Sequence, residues 1–322
     1  MVMHTGTFTE ATRATVPGNL INIINAKARE TTQEQGNIKS LVFNDKLMSG
    51  TASYSSPKIG SLVMQGLNAT EELTNYQTLT TSNVVVTPGE AGLAVKFAKK
   101  SLATWSEPMA ARTGRIMRDA RDRKIDADLG GLFPSFTTYT LGAAAAVLTP
   151  NVLAAGRARL KGGNNTTGSA IAAGTVSNQA PAGPINGVFR WESLTQVMRN
   201  LIGGPITVTP ATIAVTSVSA PAAGKGAEAL ENLYVDRVAG VRVYGNSNLA
   251  KDASDDTVGS IFHGDAIAYI PFPHDGAEGN VKNTEADDGR FLQMTLVTDY
   301  GFSILDQNYG IAVTTDATQP TA

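Results

Sequence analysis

The chain contains no cysteine among its 322 residues, and this absence removes several classes of chemistry at once. Disulfide bonds, thiolate metal sites and a cysteine nucleophile are all excluded. Aromatic residues make up only 6% of the chain and charged residues only 17%, whereas 42% of the residues are hydrophobic. A chain of this length and hydrophobic content can bury a sizeable core, and we expect it to form two subdomains.

A surplus of charge and a long hydrophobic run are also lacking. The formal net charge is −2, which gives no general attraction to a polyanion. The longest apolar run, LGAAAAVL at 141–148, is far shorter than the roughly 20 residues that a membrane-spanning helix needs. The N-terminal sequence has no apolar segment of the kind found in signal peptides. We therefore expect a soluble protein that is synthesised in a cytoplasm and has no membrane partner.

Metal ligation has little support in the sequence. The histidines, His4, His263 and His274, lie at no ligand spacing and are interpreted as structural or surface residues. The run NTEADDGR at 283–290 resembles a calcium loop, but its glycine comes one position late and Met294 stands where a glutamate is required. We predict no metal site.

Nucleotide-binding and hydrolase motifs are also incomplete. The GKG at 224–226 lacks the first glycine and the final Ser or Thr of a phosphate-binding loop. The GNSNL at 245–249 lacks the closing glycine of a nucleophile elbow. Acidic residues 252, 255 and 256 are interpreted as a solvated loop. We predict no catalytic residue and no cofactor, and the chain is not expected to be an enzyme.

The most charged segment is RTGRIMRDARDRKIDADLGG at 112–131, in which half of the residues are charged. Ser106 as a cap, Pro108 in the first turn and Gly130 at the end predict a helix of about 23 residues, roughly 35 Å long. One apolar stripe is predicted to contain Met109, Thr113, Ile116, Met117, Ala120 and Ala127, with Ile125, Leu129 and Leu132 on another face.

The opposite face of this helix collects three basic and three acidic residues, namely Arg112, Arg115, Asp119, Asp122, Arg123 and Asp126. Pairs at i,i+4, such as Arg115–Asp119 and Asp119–Arg123, each contribute a few tenths of a kcal/mol. A helix that binds DNA needs a surplus of cations to displace counterions from phosphate. We therefore interpret this face as a salt-bridged surface exposed to solvent or to another subunit.

Strands and loops dominate the rest of the chain. Segments 61–81 and 83–100 alternate with a period of two, which predicts an extended hairpin, and Glu71 and Glu72 make it acidic because no Lys or Arg lies between Ser61 and Gly89. Helices are predicted from Pro150 behind a Thr149 cap to Gly162, and over 193–204. The stretches 162–189 and 200–224 contain no charged residue.

The order of these parts resembles the major capsid protein of tailed bacteriophages, with the Hong Kong 97 type fold. The phrases that carry the resemblance are ADLGGLF, GPINGVFRWESLTQVMRNLI, RVAGVRVYGNSNL and GSIFHGDAIAYIPF, in this order along nearly the whole chain. The resemblance implies an α+β fold with an N-arm (1–45), an extended β-hairpin loop with flanking strands (46–98) and a peripheral domain with a long spine helix (99–148). It further implies an axial domain (149–285) and strands that return to the peripheral domain (286–322).

The implied function is structural: self-assembly into hexamers and pentamers of an icosahedral head shell that encloses double-stranded DNA in the virion. Portal, scaffolding and decoration proteins are the other implied partners, and contact with packaged DNA would be independent of sequence. The hairpin tip lacks the lysine that the founding member uses for covalent cross-linking. We predict subunit contacts at Glu71, Glu72, Asn75, Tyr76, Arg112, Arg115, Asp119, Asp122 and Arg123.

Three alternatives remain open. A bacterial nanocompartment shell has the same fold, and a β-rich phage tail or surface adhesion module fits the Thr, Gly and Asn content. An enzyme with an unrecognised site is the third. The long helix argues against the adhesion module, and the absence of a convergent polar constellation argues against the enzyme.

Overall fold

The computed structural model describes residues 36–47, 51–59, 81–100, 109–162, 180–202, 237–272, 281–286 and 290–319. The helices with described bounds are α1 (Met109–Gly130), α2 (Pro150–Gly162) and α3 (Trp191–Ile202). The strands are β1 (Phe43–Asn44), β2 (Tyr54–Ile59), β3 (Thr81–Val86), β4 (Gly89–Ala98), β5 (Thr140–Gly142), β6 (Ile185–Phe189), β7 (Arg237–Val238), β8 (Val241–Gly245), β9 (Asp256–His263), β10 (Ile267–Phe272), β11 (Val281–Ala286), β12 (Phe291–Ile304) and β13 (Gly310–Asp316).

The chain divides into two compact units. The first contains Met1–Gln33, Ala91–Arg121 and Gly279–Thr298, and the second contains the rest. In the described part of the first unit, β11 pairs antiparallel with β12 and β4 also pairs with β12. Met117 of α1 packs there with Met294 and Leu296 of β12, so the start of the long helix covers one face of this sheet.

The second unit is built around a six-stranded sheet with the order β5-β13-β9-β6-β8-β7. Its central strand β6 is buried along its whole length, and so lies under packing on both faces of the sheet. Helix α2 approaches β9 at Gly156, where a Cβ atom would lie 2.4 Å from Cδ1 of Ile261. Leu153 and Leu160 of α2 and Leu194 and Val197 of α3 lie in the same core.

A second layer of the same unit contains β1, β10 and the end of β12. Strand β10 pairs antiparallel with β12 from Ile267–Ile304 to Phe272–Asp299, and β1 pairs parallel with β10. Its core contains Leu47, Val86, Ala268 and Ile270.

The predicted helices are confirmed where the structure describes them. The long helix has 22 residues and ends at Gly130, and its predicted cap at Ser106 lies outside the described residues. Helix α2 spans Pro150–Gly162, and the backbone N–H of Val152 lies 3.4 Å from the Thr149 hydroxyl that was predicted to cap it. The third helix begins two residues earlier than the predicted 193, at Trp191.

The predicted apolar stripe of α1 is wrong in part. Met117 is buried, but Ile116 is 51% exposed and Ala127 is exposed as well. Ile125 and Leu129, which were assigned to a separate face, are the fully buried residues near the helix end. The two ends of the helix belong to different units, so one straight stripe does not describe its buried side.

Candidate assembly surface

Strands β2 and β3 form a two-stranded ribbon, which corresponds to the base of the predicted hairpin. They pair antiparallel from Tyr54–Val86 to Ile59–Thr81 and form a separate sheet in the described structure. Most described side chains along both strands are exposed, and Val85 is 56% exposed. Two-stranded ribbons are at best marginally stable in water. The ribbon therefore lacks a core of its own, as the sequence predicted.

The base of the ribbon is held by the body of its own unit. Val86 is 2% exposed, and a Cβ atom on Gly301 would lie 2.7 Å from its Cγ1. The hydroxyl of Tyr54 donates a 2.7 Å hydrogen bond to Asp45. This bond, together with burial and the Asp45 charge, raises the pKa of Tyr54, so the phenol keeps the proton that it donates.

The predicted contact residues divide into two groups. Glu71, Glu72, Asn75 and Tyr76 lie outside the described residues, and so does the side chain of Arg112, whose backbone belongs to α1. Arg115 is exposed, whereas three further residues of α1 are half-buried, namely Asp119, Asp122 and Arg123. Each of these four side chains has an interaction partner in the chain. Their predicted contacts with another subunit stay predictions.

Near its end, α1 has an ion pair within the helix and a hydrogen bond to β12. Lys124 and Asp128 form an i,i+4 ion pair of 2.5 Å. The hydroxyl of Tyr300 donates a 2.6 Å hydrogen bond to Asp128. Burial, followed by this hydrogen bond, raises the pKa of Tyr300 well above its ordinary value, so the phenol remains a donor at every physiological pH.

The placement of Asp126 on the solvated face is wrong. This residue is 1% exposed and accepts a 2.8 Å hydrogen bond from the backbone N–H of Ile38. The side-chain amides of Asn246 and Asn248 donate to its second oxygen. The apolar face of the helix drifts to Ile125 and Leu129 near its end, and this drift carries Asp126 inward with it.

Asp126 and its hydrogen-bond partners hold the backbone at residues 36–38 in place. A Cβ atom at position 36 would lie 2.7 Å from Cγ of Asp126, so glycine is required there for close approach. The Asn37 side chain donates to the carbonyl of Gly245 at 2.8 Å and accepts from Asn246 at 2.9 Å. The GNSNL loop is thus a buried polar support and not a nucleophile turn.

In the acidic loop at 252–256, the prediction of a solvated residue is wrong for Asp256 alone. Asp256 is 6% exposed and accepts a 2.7 Å hydrogen bond from the backbone N–H of Ala145. Asp252 accepts from the backbone N–H groups of Ser254 and Asp256, both at 2.8 Å, and both Asp252 and Asp255 are exposed as predicted. These carboxylates shape the turn that leads into β9.

Sequence reasoning missed an ionic cluster around Glu192 at the start of α3. Arg190 donates to both carboxylate oxygens at 3.1 and 3.0 Å, and Lys251 lies 3.3 Å from one of them. Burial alone would raise the pKa of Glu192, but hydrogen bonds and the charges of Arg190 and Lys251 lower it overall. Arg190 also donates to the carbonyls of Ser247 and Leu249, more than fifty residues away, so no local spacing indicated this cluster.

The described residues contain no group of three or more potential ligands that could hold a metal ion. His263 has a structural role: its Nδ1 accepts from the backbone N–H of Asp265 at 3.3 Å, and its ring contacts Tyr309 edge-on at 5.9 Å. His4 and His274 lie outside the described residues, as does the GKG at 224–226. No helix in the described part of the chain is long and apolar enough to cross a membrane.

No family model matches the chain, and no curated protein matches its sequence. Solved capsid structures nevertheless match its fold. A chain of the capsid of Ralstonia phage GP4 is 12% identical, with a TM-score of 0.65, and the match covers 92% of this chain and 97% of that chain. The capsid of Helicobacter pylori bacteriophage KHP30 matches at 11% identity and a TM-score of 0.65, over 93% of this chain and 98% of that chain.

An encapsulin is similar as well. The SrpI encapsulin of Synechococcus elongatus PCC 7942 is 8% identical, with a TM-score of 0.56, over 94% of this chain and 97% of that chain. At these identities the matches show the fold. The predicted α+β capsid fold is confirmed: this chain has the fold of tailed-phage major capsid proteins.

Proposed function

We propose that this chain is the major capsid protein of a tailed bacteriophage and self-assembles into an icosahedral head shell around double-stranded DNA. The observation that carries the proposal is the match to phage capsid chains over nine-tenths or more of both chains. The role is structural and not enzymatic. The protein would be synthesised and assembled in the cytoplasm of a bacterial host and reside in the virion.

The exposure of the ribbon in the isolated subunit also supports this proposal. The ribbon buries little apolar surface within its own subunit. A neighbouring copy that covers it would bury more, and this burial would favour association of the subunits. The near-neutral charge also suits a container, because a strongly basic lining would hold the incoming DNA and oppose its rearrangement.

The proposed organisation follows the bounds given by the resemblance. Residues 1–45 form the N-arm, 46–98 the extended loop, 99–148 the peripheral domain with its spine helix, 149–285 the axial domain and 286–322 the returning strands. The partners are other copies in hexamers and pentamers, with portal, scaffolding and decoration proteins as further candidates.

The uncharged stretches 162–189 and 200–224 are proposed to lie near five-fold or six-fold axes. Around such an axis, every copy repeats a charge at short distance, and like charges about 4 Å apart repel by roughly 1 kcal/mol even in water. Amide, hydroxyl and small apolar groups avoid that repulsion. Most of both stretches lies outside the described residues.

Electron microscopy of the purified, full-length protein tests the proposal. Closed shells tens of nanometres across are expected from expression alone or with the co-expressed phage head proteins. Isolated monomers or trimers under both conditions would contradict it.

The nanocompartment shell is the second candidate, since the SrpI encapsulin shares the fold. The contents of particles from the native source separate the two functions. A tailed particle filled with DNA supports the phage capsid, whereas a tailless shell that holds protein cargo supports the nanocompartment.

A further inference from the structure

Lys58 is the only basic residue between Thr51 and Val95, and the structure places it in a contact with its own unit. It lies on β2, directly opposite Ser82 of β3. Its ammonium group forms an ion pair with Oδ2 of Asp306 and lies 6.0 Å from the ring centroid of Tyr309. The single cation of the β2–β3 ribbon is therefore used within the subunit.

The acceptor of this ion pair is held firmly. Asp306 is 8% exposed, and its other carboxylate oxygen accepts a 3.0 Å hydrogen bond from the backbone N–H of Asn308. The backbone N–H groups of Leu305 and Asp306 both donate to the carbonyl of Ala266, at 2.8 and 3.3 Å. Lys58 is 45% exposed, so the aspartate is the more buried partner of the pair.

The position of Lys58 along the ribbon determines how its contact with Asp306 constrains the ribbon. The base of the ribbon is attached at Tyr54 and Val86, which are paired with each other. Lys58 lies four residues further along β2, about 13 Å away at the rise of an extended strand. An attachment at one end leaves a ribbon free to pivot, whereas a second attachment at this distance sets its direction.

We propose that Lys58 is a positioning residue that fixes the direction in which the hairpin leaves its own subunit, through its contact with Asp306 and Tyr309. The consequence for assembly rests on the proposed shell function. A hairpin with a fixed direction meets a neighbouring copy without the entropic cost of being ordered at that moment.

The test measures the direction of the ribbon in unassembled full-length protein. Because the chain has no cysteine, Thr81→Cys and Asn151→Cys introduce the only two thiols for nitroxide labels. Both positions are exposed, and Thr81 pairs with Ile59, which places it on the face of the ribbon opposite Lys58. Pulsed electron paramagnetic resonance then gives the distribution of distances between the labels.

A narrow distribution is expected with Lys58 and with Lys58→Arg, which keeps the charge. With Lys58→Met we expect a distribution about twice as wide, in proportion to the larger displacement of a mobile segment. Lys46→Met is the matched control, because it removes the same charge from an exposed lysine outside the ribbon. An equally narrow distribution for Lys58→Met, or a wide one for the protein with Lys58, would overturn the proposal.

Particle yield provides the second measurement. Lys58→Met is expected to lower the yield while Lys58→Arg preserves it, and a normal yield with a widened distribution would overturn the link to assembly. If the parent protein forms no particles at all, the proposed shell function fails. The distance measurement still decides the role of Lys58, because it is made on the subunit.

Discussion

The carboxylate of Asp126, near the end of α1, accepts a 2.8 Å hydrogen bond from the backbone N–H of Ile38, which precedes it by 88 residues. The Asp126→Ala variant is expected to lower the free energy of unfolding by about 3 kcal/mol, because it leaves buried donors without an acceptor. Asp122→Ala on the same helix serves as the control, with an expected loss of about 0.5 kcal/mol. Urea unfolding of the subunit measures both, and equal losses would contradict the buried role of Asp126.

Glu192 makes the free energy of unfolding of the second unit depend on pH in the acid range. Its pKa is lowered in the folded state, so its stabilising contribution is complete above the ordinary carboxyl pKa and is lost as pH falls through the lowered value. The Glu192→Gln variant is expected to be less stable than the parent at neutral pH, and the difference shrinks in acid. Urea unfolding at several pH values checks this. Glu90→Gln makes the same substitution at an exposed position and is the control for the loss of a negative charge.

Gly245 is required because the Trp191 side chain lies against it. A Cβ atom at position 245 would lie 2.4 Å from Cδ2 of Trp191, so Gly245→Ala is expected to destabilise the fold by about 2 kcal/mol. The Trp191→Ala substitution removes the clash. In a protein that carries it, Gly245→Ala should lower the free energy of unfolding only slightly. Gly114→Ala is the control: nothing lies within 4 Å of its Cβ position in α1, so it should stabilise the helix by about 0.5–1 kcal/mol. Thermal unfolding of the variants measures these differences.

Glu71 and Glu72 are expected to meet basic side chains of a neighbouring subunit, with Arg112 and Arg115 as candidates. An exposed pair contributes at most about 1 kcal/mol, but a symmetric shell repeats it in every copy. The double variant Glu71→Lys and Glu72→Lys should therefore lower particle yield while the circular dichroism and melting temperature of the subunit stay unchanged. If the lysine double variant gave the same particle yield and stability as the parent protein, this contact would be ruled out. The neutral double variant Glu71→Gln and Glu72→Gln removes the attraction without adding repulsion, so it separates the two effects.

Assembled particles are expected to be held together without covalent bonds. The chain has no cysteine, and no lysine lies between Ser61 and Gly89 for an isopeptide bond at the hairpin tip. Boiling particles in detergent should release a single band near 33.6 kDa on a denaturing gel. A ladder of higher multiples would show a cross-link that the residues of the tip do not explain.

The elements that could be predicted from the sequence are those with local signals. Thr149, Pro150 and Gly162 mark the two ends of α2, and the structure gives the same bounds because capping, proline placement and glycine termination all act within one turn. The alternating period over 83–100 predicted the extended strands β3 and β4 in the same way. It did not predict their partners: β3 pairs with β2, which precedes the alternating segment 61–81, and β4 pairs with β12.

The features that could not be predicted depend on contacts between distant segments. Asp126 is buried because Ile38 and Asn246 supply hydrogen bonds from far along the chain, and a helical wheel carries no information about either. The Lys58–Asp306 ion pair joins residues on different elements in the same way, so only the fold shows that the one cation of the β2–β3 ribbon is already paired.

The position of β13 in its sheet has a consequence for biosynthesis. This strand is translated after every other described strand, yet it lies between β5 and β9 in the sheet order, pairing parallel with one and antiparallel with the other. While residues 310–316 are still inside the ribosome, β9 has an open edge and β5 has no strand beside it in the described sheet. The core of this sheet can therefore be completed only after residues 310–316 have left the ribosome, so its folding follows the synthesis of all the other described strands.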